Sequence, residues 1–167
     1  MRAVRATVGA VPLLIANAED AIQWHDGVTV TKDAIPDCGA MSGLHTAVAY
    51  HESPVLIVAW DMPFVPVALL KALVAGAGAF DVFLPESNAP HGVEPLCGVY
   101  GPSCLRAIES AMAAGDYRAT GFHKHVRLGT LPLSEVSAFG PPDTIFFNVN
   151  NPAQLKRAEE LWRNKPE

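Results

Sequence analysis

An aspartate directly after an apolar run is the residue best placed for chemistry. Residues 55–60 are apolar, rich in β-branched side chains and short enough for a strand, which predicts a buried central strand of parallel type. Asp61 follows this run. Open α/β sheets bind their ligands beyond the carboxyl ends of the strands, so Asp61 is the first catalytic candidate. The alternative is that Asp61 stands in a turn or caps a helix that begins near Pro63.

Two further polar side chains follow short segments that read as strands. Asn17 ends the stretch PLLIAN, and Asp33 comes soon after the alternating stretch GVTVT. Both stretches predict strands, so both side chains are expected at strand ends and are candidates for ligand binding. The alternative for Asp33 is a residue that only terminates its strand.

Two glycines open a segment that reads as a loop and then a helix. Gly39 and Gly43 stand in GAMSGLHTAVAYH, where Leu44 and Val48 have the spacing of a helix face that packs on a sheet. Backbone N–H groups at the start of such a helix can contact an anion. The alternative is that the glycines serve turn formation and close packing.

Two asparagines close the stretch DTIFFNVN, which predicts a strand. Asn148 and Asn150 are two residues apart, so in an extended segment their side chains share a face and can grip a polar ligand. The alternative is that Asn150 or Asn151 caps the helix that begins at Pro152.

Other residues have side chains that could take part in catalysis or metal binding, but structural roles explain them better. His123 and His125 share a face if HKHVRL is extended, but no third ligand has matching spacing, which favours solvent exposure over a metal site. Cys97 and Cys104 are expected as a buried strand residue and a helix residue. The stripe from Leu155 to Trp162 has helical spacing and is predicted to be core.

These candidates depend on an alternation of strands and helices. A helix of about two turns is expected from Arg2. Strands are expected at FDVFLP and LCGVY, and helices after Pro66, Pro102 and Pro152. This order predicts an α/β protein with a doubly wound, mostly parallel sheet and helices on both faces. No repeat or linker divides residues 1–167, which predicts a single domain.

Composition narrows the function. Half of the 167 residues are hydrophobic, the net charge is −5, and only 12 residues are lysine or arginine. That balance argues against nucleic acid and anionic membranes as partners and favours a small-molecule ligand. Three cysteines without CxxC spacing and the lack of a signal or membrane-spanning run predict a soluble protein of the reducing cytoplasm.

Six segments, taken in order, resemble one family. They are IAN at residues 15–17, TKD ending at Asp33, GAMSGL at 39–44, VAWDMPFVP at 58–66, EPLCGVY at 94–100 and NVNNPAQL at 148–155. The chain resembles the molybdenum cofactor guanylyltransferases, the MobA-like nucleotidyltransferases. The resemblance implies a Rossmann-like fold of the nucleotide-diphospho-sugar transferase type. It also implies contacts with other proteins of molybdenum cofactor biosynthesis, while the oligomeric state stays open.

The resemblance implies transfer of GMP from Mg-GTP to molybdopterin, which yields the guanine dinucleotide cofactor and pyrophosphate. Asp61 matches the family's Mg²⁺-binding aspartate. The other matching positions are Asn17 and Asp33 for the guanine nucleotide, Gly39 and Gly43 for the glycine loop, and Asn148 and Asn150 for the molybdopterin side. Asn151 stands where the family usually has threonine, and Ala40 and Met41 replace its Pro-Leu.

One family segment has no match. The family begins with a strand and a glycine-rich loop of the form LAGGxSxRMG, which cradles the triphosphate, and nothing in this sequence matches it. The resemblance therefore implies a chain that is truncated at its N-terminus and lacks the first strand. That strand would lie between those ending at Asn17 and Asp61, leaving unpaired edges unless the sheet closes. The alternatives are a cytidylyltransferase of the same fold and a non-catalytic remnant or binding module.

Overall fold

The computed structural model describes residues 1–24 and 27–163. Within them, helices and strands alternate along most of the chain. The helices are α1 (Arg2–Val8), α2 (Ala40–Ala49), α3 (Val67–Gly76), α4 (Leu105–Ala113), α5 (Leu133–Val136), α6 (Pro142–Ile145) and α7 (Pro152–Arg163). The strands are β1 (Leu13–Ile15), β2 (Thr29–Thr31), β3 (Val55–Val58), β4 (Val82–Pro85), β5 (Cys97–Tyr100) and β6 (Leu128–Leu131). None of these helices is long and apolar enough to cross a bilayer.

The main sheet has four strands in the order β3-β5-β4-β6. Strand β5 runs antiparallel to both of its neighbours, and β4 runs parallel to β6. Strands β3, β4 and β6 therefore point the same way. The predicted α/β class with a mostly parallel sheet is confirmed, with β5 as the exception among the described strands.

Strand β3 lies at an edge of the main sheet and pairs antiparallel with β5. The prediction of a central strand with parallel neighbours is therefore wrong. The apolar run has a different cause, since Val55 and Ile57 pack against one buried cluster while Leu56 and Val58 pack against the other. A run covered on both faces looks the same in sequence whether it is central or at an edge.

Strands β1 and β2 form a separate parallel pair. No ladder of hydrogen bonds joins β1 to β3 in the described part of the chain, as expected if the sheet does not close between them. Helix α2 contacts both β1 and β3. It is therefore a packing element that the two sheets share.

Helices cover both faces of the main sheet, as predicted. Helices α2 and α4 pack on one face, where Leu44 and Ile108 join Leu84 in one buried cluster. Helix α3 packs on the other face, where Leu70 and Phe83 belong to a second cluster. Neighbouring residues of β4 point into different clusters because side chains alternate across a strand.

Toward the C-terminus, one predicted strand and one segment of open structure are not strands over most of their length. The first three residues of the predicted strand DTIFFNVN, 143–145, lie in the short helix α6, and residues 147–150 are irregular. Pro142 starts that helix, because proline fits a first helical turn, where its missing N–H has no partner to lose. His123–His125 form a 3-10 helix, so the two histidines do not share a strand face.

An ion pair at the amino end of β4 ties three strands together. The Asp81 carboxylate accepts hydrogen bonds from the Arg127 backbone N (2.9 Å), Nε (3.1 Å) and terminal guanidinium N (2.9 Å), and from Ser103 Oγ (2.7 Å). These donors hold the pKa of Asp81 well below its ordinary value of 3.8. Asp81 thus links β4 to the residue preceding β6 and to the turn after β5.

We expect Asp81→Asn to lower the free energy of unfolding at neutral pH by about 1–2 kcal/mol. The loss is small because Arg127 is exposed and solvent screens its charge. A depressed native pKa stabilises the fold above the unfolded value of 3.8 and loses that effect as pH falls below it. The gap between wild type and variant, measured by urea denaturation, should therefore shrink at about pH 3. Glu52→Gln, at an exposed loop carboxylate, serves as the control, and a gap that does not change with pH would contradict the assignment.

Candidate active site

Asp61 lies beyond the carboxyl end of β3, and backbone hydrogen bonds of the neighbouring residues fix its position. Ala59 N donates to Leu96 O at 2.7 Å, and Met62 N donates back to Ala59 O at 3.3 Å. Helix α3 begins only at Val67, with Pro66 as its N-cap, so Asp61 does not cap it. The Oδ1 atom of Asp61 is buried and has no hydrogen-bond partner among the described residues. A buried carboxylate oxygen without a donor is unfavourable and suits a cationic ligand.

Asn148 belongs to a segment that is bonded to the backbone of Asp61. The backbone N of Val149 donates to the backbone O of Asp61 at 2.9 Å, which holds residues 148–150 against the end of β3. The Oδ1 atom of Asn148 is also buried without a described partner. Carboxylate and amide oxygens are the ligands that Mg²⁺ prefers, so each side chain offers an oxygen of a type that fits the metal that the resemblance implies. Asp61 and Asn148 line different cavities of the described structure.

Asn150 has different surroundings from Asn148. Asn150 is exposed, and its backbone N donates to Gln154 Oε1 at 2.8 Å. Asn151 Oδ1 accepts from Gln154 N at 2.9 Å, so Asn151 caps α7. The capping alternative is therefore correct for Asn151. Residues 147–150 form no strand, and Asn148 has a buried side-chain oxygen whereas Asn150 is exposed.

Glu94 is a neighbour that the sequence interpretation left without a role. Its side chain borders the same cavity as Asn148, and Leu96 N donates to its Oε1 atom at 3.2 Å. Burial raises the pKa of Glu94; the Leu96 hydrogen bond opposes this shift, and the negative charge of Asp61 adds to it. The motif EPLCGVY contains Glu94, but only the fold shows its closeness to Asp61.

Asn17 and Asp33 form a second polar group. Asn17 Nδ2 donates to Asp33 Oδ2 at 2.7 Å, and Asp33 N donates to Asn17 Oδ1 at 3.0 Å. Gly43 faces them, since a Cβ atom there would lie 3.8 Å from Asp33 Oδ1. Parallel pairing of β1 with β2 places both strand ends at one edge, which brings Asn17 and Asp33 together, while Gly43 approaches them from α2, which packs on β1.

Gly39 is the N-cap of α2 and has φ 58°, a conformation that favours glycine. The loop before it is fixed by α2 side chains. Ala34 N donates to Thr46 Oγ1 at 2.8 Å, and Cys38 N donates to Ser42 Oγ at 3.0 Å.

No described hydrogen bond or ion pair joins the group of Asn17, Asp33 and Gly43 to Asp61. The stacked rings of Trp24 and Trp60, 5.7 Å apart, connect the segment after β1 to the end of β3.

An aromatic pocket of about 310 Å³ opens beside Asp61. It lies between the segment from Trp60 to Phe64 and helix α7. Leu155 is 51% exposed and Trp162 is 62% exposed, whereas Ala158 is buried. The prediction that this stripe is core is therefore wrong for its two largest members. Helical spacing identifies an apolar face but not whether that face is covered or lines an open pocket.

The remaining candidates are not placed for catalysis. Cys97 and Cys104 are buried as predicted, and burial raises the pKa of each thiol to about 12. His125 is exposed as predicted, but His123 is partly buried. Burial, together with the charge of His91, lowers the pKa of His123.

Comparison with known proteins places the chain in one family. The model of the MobA-like NTP transferase domain matches residues 1–128. A probable molybdenum cofactor guanylyltransferase of Pelotomaculum thermopropionicum is 32% identical over 141 residues, which are 83% of this chain and 67% of the relative. The molybdenum cofactor guanylyltransferase of Desulfosudis oleivorans is 30% identical over 151 residues, 88% of this chain and 72% of the relative.

A solved structure has the same fold. It is the crystal structure of the molybdopterin-guanine dinucleotide biosynthesis protein A of Archaeoglobus fulgidus, with a TM-score of 0.76 and 24% identity. The match covers 92% of this chain and 79% of that one. On the family match and the two relatives together, the chain belongs to the family of MobA-like NTP transferase domains.

Proposed function

We propose that this chain is a molybdenum cofactor guanylyltransferase, which transfers GMP from GTP to molybdopterin. An oxygen of the molybdopterin phosphate attacks the α-phosphorus of GTP. The bond from that phosphorus to the bridging oxygen of the β-phosphate breaks, and pyrophosphate leaves with the electron pair. The names of the relatives and the membership in a nucleotidyltransferase family support the proposal.

The buried, unpartnered Oδ1 of Asp61 is the observation that carries it. We assign Asp61 and Asn148 as the residues that hold Mg²⁺, because both present a buried oxygen without a donor. When bound, Mg²⁺ supplies positive charge to the phosphates. Asp61 and Asn148 would hold the ion near the end of β3, where its charge would be available to the phosphates.

Asn17 and Asp33 are assigned to the guanine nucleotide. Their mutual hydrogen bonds hold both side chains in place, so little ordering remains when a ligand binds. Gly39 and Gly43 keep this side of α2 free of bulky side chains, which lets a ligand approach the backbone. Asn150 is assigned to the molybdopterin side. We also propose a cytoplasmic location, which the three free cysteines support.

Calorimetric titration with GTP, with and without Mg²⁺, tests the proposal. We expect GTP to bind with Mg²⁺ about tenfold or more tightly than without it, because the metal compensates the carboxylate beside the phosphates. CTP should bind at least about tenfold more weakly, since a site built for one base leaves polar groups unpaired with another.

Two results would contradict the proposal. Preference for CTP would indicate a cytidylyltransferase. A folded sample that binds no nucleotide with Mg²⁺ would indicate a non-catalytic protein.

A further inference from the structure

The pocket beside Asp61 has walls of aromatic side chains that remain open to solvent. Trp60 is 77% exposed and Trp162 is 62% exposed. The ring of Phe64 lies between the pocket and the core, 6.2 Å from Trp162 between ring centres. Large exposed aromatic surfaces that line one concave pocket are typical of binding sites for planar ligands. Its volume of about 310 Å³ is enough for a small heterocycle.

Two carboxylates stand in this otherwise apolar lining. They are Asp61 at the end of β3 and Glu159 on α7, and no other charged side chain is among the described lining residues. A ligand that fills the pocket therefore meets two carboxylates and no cationic side chain among these residues. Donors on the ligand, rather than acceptors, match such a lining.

The Glu159 carboxylate differs from that of the neighbouring Glu160, which has a hydrogen-bond partner on the same helix. Glu160 accepts a hydrogen bond from the Arg157 guanidinium at 3.3 Å. Arg163 lies one turn after Glu159, but its Nε donates to the backbone O of Glu159 at 3.3 Å. No described hydrogen bond or ion pair engages the Glu159 carboxylate itself. Glu159 is exposed, and within residues 1–24 and 27–163 both of its carboxylate oxygens are available to accept from a ligand.

A flat ring with two adjacent N–H donors satisfies both features. The 2-amino-4-oxopyrimidine edge has this pattern, because its ring N–H and its amino group lie side by side and match the two oxygens of a carboxylate. Guanine and pterins both carry this edge. The proposed guanine position is at Asn17 and Asp33, so the pocket on α7 is left for the other ring of the product.

We propose that this pocket binds the pterin ring of the acceptor, with Glu159 as the residue that determines specificity for its 2-amino-4-oxo edge. The identity of the ring rests on the proposed function. Trp60 and Trp162 pack on the ring, and Glu159 accepts from its ring N–H and amino group. Asp61 lines the same pocket, so the substituent that bears the phosphate extends from the bound ring toward Asp61.

Titration of the full chain with 6-hydroxymethylpterin, followed by calorimetry and tryptophan fluorescence, tests this assignment. We expect binding without Mg²⁺ and quenching of the tryptophan emission. Lumazine has an oxo group in place of the 2-amino group and should bind about tenfold or more weakly, because it presents an acceptor to a carboxylate. Glu159→Gln should weaken pterin binding by about tenfold or more, while the matched control Glu160→Gln should leave it unchanged. Trp60→Leu should weaken it as well.

Three results would overturn the assignment. These are pterin binding that Glu159→Gln does not change, equal binding of lumazine, or guanosine that binds here and competes with the pterin. A different result would show that the proposed function is wrong: the pterin would bind, but Mg²⁺ would not change the binding of GTP. If GTP binds with Mg²⁺ but the pterin does not bind, the pocket assignment alone is wrong.

Discussion

Replacement of Asp61 by alanine is expected to abolish the Mg²⁺ dependence of GTP binding and to reduce guanylyl transfer by about 10³-fold or more. The Oδ1 atom of the carboxylate is buried and unpartnered, so it contributes no described hydrogen bond to the fold. The backbone O of Asp61, which accepts from Val149 N, is unaffected by the change. Removal of the charge also relieves its repulsion of Glu94. The variant should therefore be as stable as the wild type without Mg²⁺, or more stable by about 1 kcal/mol.

Thermal denaturation with and without Mg-GTP separates the two effects. The wild type should gain stability from the ligand by mass action, and Asp61→Ala should not. Asp61→Asn is the matched control, since it keeps the size and one oxygen but removes the charge; it should be folded and intermediate in its response to Mg²⁺. A Mg²⁺ response of Asp61→Ala equal to that of the wild type would contradict the assignment, as would a variant that is unfolded without ligand.

Gly98→Ala is expected to destabilise the protein by about 3 kcal/mol through overpacking at the centre of the main sheet. A Cβ atom at this position would lie 2.4 Å from Leu84 Cδ2 and 2.8 Å from the backbone O of Phe83. The Leu84 side chain can rotate away, but the Phe83 carbonyl belongs to β4 and can shift only with that strand. Strand β5 would have to move away from β4, and Leu96, which holds Ala59 beside Asp61, is the residue before β5.

Urea denaturation measures this loss of stability, and Gly78→Ala is its control. Nothing lies within 4 Å of a Cβ atom at Gly78, and this glycine does not need a positive φ. The control should change the free energy of unfolding by less than about 0.5 kcal/mol. Equal stability of the two variants would show that β4 and β5 tolerate a wider separation than their packing indicates.

The placement of the polar candidates at strand ends was predictable because the signals are local. The apolar run before Asp61 and the prolines after it fix where β3 stops. The turn residues after β1 and β2 likewise place Asn17 and Asp33. Their mutual hydrogen bonds were not predictable, because these depend on the pairing of two strands that are separated in sequence.

Strand order and exposure depend on non-local contacts and could not be predicted from the sequence. Strand β5 follows β4 in the chain and pairs with it antiparallel, as in a hairpin, and no residue of LCGVY indicates that direction. The orphaned oxygens of Asp61 and Asn148 likewise need the fold, because burial without a donor is a property of surroundings. The stripe on α7 shows the same limit, since Trp162 fits a core and a binding pocket equally well by spacing alone.

The separation of the β1–β2 pair from the main sheet has a consequence for motion. Neither strand contains a fully buried residue, whereas every residue of β4 and β5 is buried. The backbone amides of β1 and β2 should therefore open to solvent in a sub-global unfolding event that leaves the main sheet intact. Asn17 and Asp33 extend from this less stable unit, while Asp61 extends from the main sheet. A nucleotide that touches both would lock the two units together, and part of its binding free energy would appear as slower amide exchange in β1 and β2.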